Sequence, residues 1–198
     1  MSKQTKWITT TAVLLALLVI LQAITKAGGQ FLTGSCVNLV LAVAALAGGL
    51  WCGVTIAILS PFFAFLLGIG PALFPLTPCI ALGNLVFVVL LALLLSPKKK
   101  NSIIWRYGAV VIAAFGKFLT LFLVIVKLVI PMLGLPDKQV GVMSAMFSWP
   151  QLVTALIGGA IKTGRERRRK KRAAEYVPVA LESAIEVQRS LLLSLIHI

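Results

Sequence analysis

The sequence predicts an all-α integral membrane protein built as a bundle of six transmembrane helices. Of its 198 residues, 60% are apolar, and the mean hydropathy is +1.03, whereas soluble domains are roughly 45–50% apolar. Charged residues make up 12% and are unevenly placed: residues 1–161 hold ten basic side chains and one acidic one, and residues 162–198 hold nine and four. Because so little polar material cannot cover a core of this size, a water-soluble enzyme is excluded and the bilayer is the expected solvent.

Six apolar runs approach the length of about 20 residues that a helix needs to cross the hydrocarbon layer. They cover residues 7–25, 35–47, 50–69, 78–95, 103–130 and 140–161. The first run follows Lys6 and is expected to be a retained span, because no small-residue cleavage site follows it. The second ends at Gly48-Gly49, so that it forms a hairpin with the third. Lysines end the fourth, Pro131 the fifth and Lys162 the sixth.

The basic residues predict the orientation. With six spans, the clusters at Lys3 and Lys6, at 98–100 and at 165–172 all fall on one side. Cytoplasmic loops are enriched in Lys and Arg, so both termini are predicted to be cytoplasmic. The opposite loops are rich in Gly and Pro and almost uncharged; they cover 26–34, 68–77 and 131–139.

Two lysines lie inside the fifth span, where an ionisable group costs roughly 2.5–3.5 kcal/mol on insertion scales. At 100° per residue, Thr120 and Lys127 fall within about 80° of Lys117 on the same side of the helix, which predicts a polar stripe. Lys127 lies near the outer end, where snorkelling to the interface explains it equally well. Lys117 is too central for that, and we expect it to face a polar cavity.

Further polar residues lie in the outer or middle parts of spans two, four and six; they are Asn38, Asn84, Ser144, Ser148 and Gln151. Alternatives are open: the two serines can bond to their own helix, and asparagines can simply join helices. Gln151 follows Pro150, which frees a carbonyl in the preceding turn. Because 39–47 and 85–95 are purely apolar, the pattern indicates an outward-facing pocket with a closed floor and not a continuous ion path.

Four short segments carry a resemblance to a known family. They are Ala12-Val13-Leu14-Leu15-Ala16, Gly28-Gly29-Gln30-Phe31-Leu32-Thr33-Gly34, Leu66-Leu67-Gly68-Ile69-Gly70-Pro71-Ala72 and Phe147-Ser148-Trp149-Pro150-Gln151. Over residues 8–161 the chain resembles the substrate-binding S components of energy-coupling factor (ECF) vitamin transporters. The runs are more similar to S components of unassigned substrate from Gram-positive bacteria than to a vitamin-assigned subgroup.

The resemblance implies a subunit of the bacterial plasma membrane that captures a vitamin or related micronutrient from outside with high affinity. It implies that Ala12 and Ala16 dock on a transmembrane coupling subunit driven by two ATPase subunits, and that Gln30 and Phe31 gate the pocket. The chain has no G-x-x-x-x-G-K-[ST] loop, so ATP is expected to be hydrolysed by the partners, and no cofactor is expected in this chain. Lys117 favours an anionic micronutrient, since a carboxylate or phosphate would neutralise it.

Two other functions are alternatives to this one. A membrane enzyme acting on lipid needs paired carboxylates or a metal site, but residues 1–161 contain one acid, Asp137; we therefore expect no enzyme. A structural or assembly protein without ligand stays open, with the polar residues serving only to join helices. The cysteines Cys36, Cys52 and Cys79 form no C-x-x-C pair and are expected to be small buried hydrophobes.

The segment after the last span is strongly basic. Residues 162–192 are predicted to be a cytoplasmic tail whose Lys and Arg side chains contact anionic lipid and not nucleic acid. Residues 193–198 read Leu-Ser-Leu-Ile-His-Ile, which CTGTCTCTTATACACATC encodes. That string resembles a transposase-based sequencing adapter, so we expect the hexapeptide to be an artefact outside the fold.

Overall fold

The computed structural model describes residues 2–71, 73–95 and 102–164, and the regular structure in these ranges is entirely helical. The all-α prediction is therefore confirmed. The helices are α1 (Lys3–Thr25), α2 (Gly29–Val43), α3 (Leu50–Leu66), α4 (Leu76–Leu94), α5 (Ile103–Leu121), α6 (Asp137–Met146) and α7 (149–164). The predicted lipid-contacting tail from residue 165 onward and the predicted artefact at 193–198 lie outside the described residues.

Four helical stretches of the described chain are long and apolar enough to cross a membrane. They are Gln4–Gly48, Leu76–Leu94, Ile103–Met132 and Asp137–Gly164, and Leu50–Leu66 is a shorter apolar helix. The count of six spans is therefore not confirmed. The difference arises in part because only a single helical turn joins α1 to α2, so that together they count as one apolar helical stretch of 45 residues.

The chain nevertheless turns sharply between α1 and α2. A 3₁₀ turn at Lys26–Gly28 leads into Gly29, whose φ of 77° is open to glycine at little cost. The two helices pack against each other beyond this turn. Thus α1 and α2 form a helical hairpin and not a single rod.

Polar caps and tryptophans mark one end of the bundle. The side chains of Ser2 and Ser102 accept hydrogen bonds from the first turns of α1 and α5, which satisfies amides that lack partners inside a helix. Trp7, Trp51 and Trp105 are exposed near the starts of α1, α3 and α5. Because tryptophan is enriched where a membrane meets water, this end is expected to lie at an interface.

The helices pack into one bundle. Contacts join α1 to α2 and α3, α3 to α4, and α4 to α5, while α7 fits between α2 and α5. Two glycines allow this fit: a Cβ on Gly158 would lie 2.6 Å from the backbone nitrogen of Leu39, and one on Gly159 would lie 2.5 Å from Val110. Gly158 is required because only a residue without a Cβ lets the two backbones approach so closely.

A polar layer, formed by Asn38, Asn84 and Lys117, separates two apolar clusters of the core. The larger cluster contains residues that follow Asn38 and Asn84 along α2 and α4 and precede Lys117 on α5; its fully buried members include Leu41, Ala42, Phe87, Val88, Leu91, Ala113 and Ala114. The smaller cluster, on the other side of this layer, comprises Leu76, Leu121, Ile125, Ile130 and Phe147. The polar side chains therefore lie above a packed apolar floor.

Candidate substrate-binding cavity

A cavity of about 370 Å³ opens in the half of the bundle where α1 and α3 end and α2, α4 and α7 begin. Cavities of roughly 300–1,000 Å³ are typical of small-molecule sites. Its polar lining comes from six helices and the α1–α2 turn; it comprises Gln22, Lys26, Gln30, Thr33, Asn38, Ser60, Thr77, Asn84, Lys117 and Gln151. The rest of the wall is largely apolar, so the cavity can enclose an organic molecule and orient it with few polar contacts.

Lys117 is the centre of the polar layer and is 3% exposed. Its Nζ donates hydrogen bonds to Asn38 Oδ1 at 2.6 Å and to Asn84 Oδ1 at 2.7 Å. The same nitrogen lies 5.8 Å from the centre of the Phe87 ring, within the range of a cation–π contact. Three residues that the sequence predicted as a site thus meet, each from a different helix.

A second hydrogen-bond chain fixes the amide of Asn38. Its Nδ2 donates to Thr154 Oγ1 at 3.2 Å, and that hydroxyl donates to the carbonyl of Gln151 at 3.2 Å. Because the amide nitrogen is engaged by Thr154, the oxygen is directed at Lys117. The sequence reading missed Thr154, although it lies three residues after Gln151 and hence on the same face of the helix.

The charge of Lys117 has no acidic partner in this part of the chain. Asp137, the one acid among residues 1–161, is exposed at the start of α6 and is not part of the cavity lining. The groups that contact the ammonium are two neutral amides and an aromatic ring. They can solvate an ammonium group without cancelling its charge, so a protonated Lys117 places a net positive charge at the cavity floor.

A carbonyl freed by proline joins the first loop to the last helices. Pro150 has no N–H to donate to the carbonyl of Met146 four residues earlier. That oxygen instead accepts hydrogen bonds from Gln30 Nε2 at 2.5 Å and Gln151 Nε2 at 3.2 Å. The rings of Phe31 and Trp149 also pack with centres 5.5 Å apart. The predicted gating residues therefore hold the start of α2 against the α6–α7 junction.

Four predicted binding residues do not line the cavity; they are Thr120, Lys127, Ser144 and Ser148. Thr120 donates to the carbonyl of Gly116, and Ser148 donates to the carbonyl of Ser144, as hydroxyls in membrane helices often do. Lys127 is exposed beside the ring of Phe122. A π-helical stretch at Phe122–Val129 changes the rotation per residue, so the fifth span does not carry one straight polar stripe.

Two lining residues that the sequence reading passed over are deeply buried. Gln22 on α1 is 6% exposed and Ser60 on α3 is 1% exposed. Each is an isolated polar residue in an otherwise apolar run, and only the packing of α1 beside α3 shows that both reach the same cavity.

The remaining residues that the sequence singled out are two alanines of α1 and the three cysteines. Ala12 and Ala16 are exposed on α1 beside the exposed side chains of Val13 and Leu17. The three cysteines are free; Cys52 is buried and the other two are half-buried. In the described ranges, no three His, Cys, Asp or Glu side chains lie close enough to hold a metal ion.

Comparison with protein families matches residues 6–164 to the ECF transporter, substrate-specific component. Comparison with curated proteins and with solved structures gave no match. The matched segment contains the helices, the cavity and the exposed alanines described above. The chain therefore belongs to the family of substrate-specific components, or S components, of ECF transporters.

Proposed function

We propose that this S component captures a small anionic micronutrient in the cavity and that Lys117 holds the anionic group. Membership of the family already makes the chain a substrate-binding subunit of an ECF transporter, with coupling and ATPase subunits as partners, and not an enzyme. The proposal adds the charge of the substrate, its site and the surface through which the subunit docks.

The observation that carries the proposal is the fixed position of the Lys117 amino group, which has two neutral amide partners and no acidic partner among the described side chains. Asn38 and Asn84 hold its Nζ from two sides, so little conformational entropy is lost when a substrate arrives. A carboxylate or phosphate that reaches Nζ forms a charge-assisted hydrogen bond, which is stronger than one between neutral groups. The same contact neutralises a charge that has no acidic partner among the described side chains.

Retention of small molecules by the purified protein tests this proposal. Detergent-purified protein is incubated with deproteinised yeast extract, washed and denatured, and the released compounds are identified by mass spectrometry. We expect an anionic compound to be retained and Lys117→Met to weaken its retention at least tenfold, equivalent to about 1.4 kcal/mol. Lys127→Met is the matched control, because it removes an exposed lysine from the same long helix and is expected to leave retention unchanged. Equal retention by wild type and Lys117→Met would contradict the proposal.

We further propose six membrane crossings, by α1 to α5 and α7, with both termini in the cytoplasm. The turn at Gly29 divides the first apolar stretch into two helices, and the basic clusters at 98–100 and 165–172 belong to the inner side by the positive-inside rule. The cavity then opens to the outside, and the contacts of Gln30 and Phe31 act as its gate.

Docking on the coupling subunit is assigned to the exposed face of α1. Ala12 and Ala16 are one turn apart and both exposed, and small residues at this spacing let another membrane helix approach closely. Val13 and Leu17, also exposed, add apolar area beside them.

A further inference from the structure

Two buried oxygens in the cavity wall have no hydrogen-bond partner. Among the side chains that the structure describes, Gln22 Oε1 and Ser60 Oγ are the buried polar atoms left unpaired. Gln22 is 6% exposed and Ser60 is 1% exposed, and both residues line the cavity that contains Lys117. The unpaired atoms are therefore confined to the substrate cavity.

These two residues come from other helices than those that hold the lysine. Gln22 belongs to α1 and Ser60 to α3, which pack against each other, while Lys117 is held by α2, α4 and α5. The cavity wall thus combines the Nζ of Lys117 with two neutral oxygens that come from other helices, and the lysine Lys26 of the α1–α2 turn also lines it.

The chemistry of the pair defines what they can bind. A glutamine Oε1 only accepts hydrogen bonds, whereas a serine hydroxyl both donates and accepts. A buried acceptor without a donor is unfavourable, and most buried polar groups in proteins are paired. A guest molecule with an N–H or O–H group near these oxygens would supply the missing donor.

We propose that Gln22 and Ser60 form a second polar subsite that recognises an N–H or O–H donor on the substrate. The inference rests on the proposed function and deepens it, because the substrate then carries two different groups: an anion at Lys117 and a hydrogen-bond donor at Gln22. Sites built to hydrogen-bond a donor discriminate strongly against analogues that lack it. A carboxylate with a purely hydrocarbon body is thereby disfavoured.

The same yeast-extract assay tests the subsite with Gln22→Met and Ser60→Ala. We expect each to retain the anionic compound about tenfold more weakly than wild type, and we expect the identified compound to contain an N–H or O–H group. Gln4→Met is the matched control: it makes the same change at an exposed position of α1 and should retain the compound like wild type. The melting temperature of the ligand-free variants should equal or exceed that of wild type, because each replacement removes an unpaired buried atom.

The outcomes separate this inference from the proposed function. If Gln22→Met and Ser60→Ala retain the compound like wild type while Lys117→Met loses it, the second subsite is wrong and the anion site stands. A retained anion without any N–H or O–H group overturns the subsite in the same way. If Lys117→Met also retains the compound, or wild type retains none, both proposals fail.

Discussion

Replacing Asn84 by aspartate should raise or preserve stability and strongly weaken anion capture. The two side chains have nearly the same shape, and the substitution puts a carboxylate where the amide oxygen now lies, 2.7 Å from Lys117 Nζ. The lysine then gains the anionic partner that it lacks, and the net charge of the cavity floor falls from +1 to zero. The carboxylate forms an ion pair whose attraction offsets its own desolvation.

The size of the binding effect follows from the geometry at Nζ. A second acceptor of the same ammonium, placed at a tetrahedral angle, lies about 4 Å from the new carboxylate. Two like charges at that distance repel by about 4 kcal/mol at an effective dielectric constant of 20. Even half of this energy corresponds to a loss of affinity of about 30-fold, since each 1.4 kcal/mol is a factor of ten.

The yeast-extract assay and thermal unfolding in detergent measure the two effects side by side. Gln139→Glu is the matched control, because it adds the same charge at an exposed amide of α6. We expect the control to retain the anionic compound and Asn84→Asp to retain at least 30-fold less without a fall in melting temperature. Undiminished retention by Asn84→Asp would show that the charge of the cavity floor does not select the substrate.

Two further predictions concern packing and docking. Gly158→Ala should lower the free energy of unfolding by about 1–3 kcal/mol, because its Cβ would meet the backbone of α2 at 2.6 Å. Gly141→Ala is the control, because no atom lies within 4 Å of its Cβ. Equal stability of the two variants would contradict the close packing of α7 on α2. Replacing Ala12 and Ala16 together by leucine should abolish co-purification with the coupling and ATPase subunits and leave the retention of the anionic compound intact. Ala145→Leu, at an exposed alanine of α6, should leave co-purification intact, and a docking surface elsewhere is indicated if the double variant still co-purifies.

The residues of the site that could be predicted from the sequence are those that would be energetically costly to leave in lipid without a polar partner. A lysine in the middle of an apolar helix is too expensive to leave in lipid, and this cost predicts that polar groups from other spans surround it. Asn38 and Asn84 do so. Likewise, Pro150 must free a carbonyl, and Gln151 indeed donates to that of Met146.

The residues that sequence reasoning misplaced are those whose polar groups have a local alternative. A threonine or serine can bond to its own helix at little cost, as Thr120 and Ser148 do, so its position on a polar face predicts nothing about a cavity. Lys127 is long enough to reach the interface from an outer turn. The π-helical register at Phe122–Val129 cannot be read from the hydrophobic pattern, because the pattern assumes 100° per residue.

The number of spans and the second subsite depend on tertiary contacts and not on local pattern. Only the three-residue turn at Lys26–Gly28 separates α1 from α2, so a count of continuous helical stretches merges them into Gln4–Gly48, and it takes the turn at Gly29 to divide them. Gln22 and Ser60 are single polar residues in separate runs. Their common function follows only from the packing that brings α1 beside α3.

The apolar floor determines how a captured substrate can leave. Below the polar layer, Leu41, Phe87, Leu91 and Ala113 are all fully buried, and they offer a polar solute neither hydrogen bonds nor space. A channel needs polar groups or water through its full depth, and this apolar cluster supplies neither. Passage to the other side therefore requires the helices, or the whole subunit, to move. The family to which the chain belongs has ATPase subunits as partners, and we propose that these subunits supply the energy for that movement.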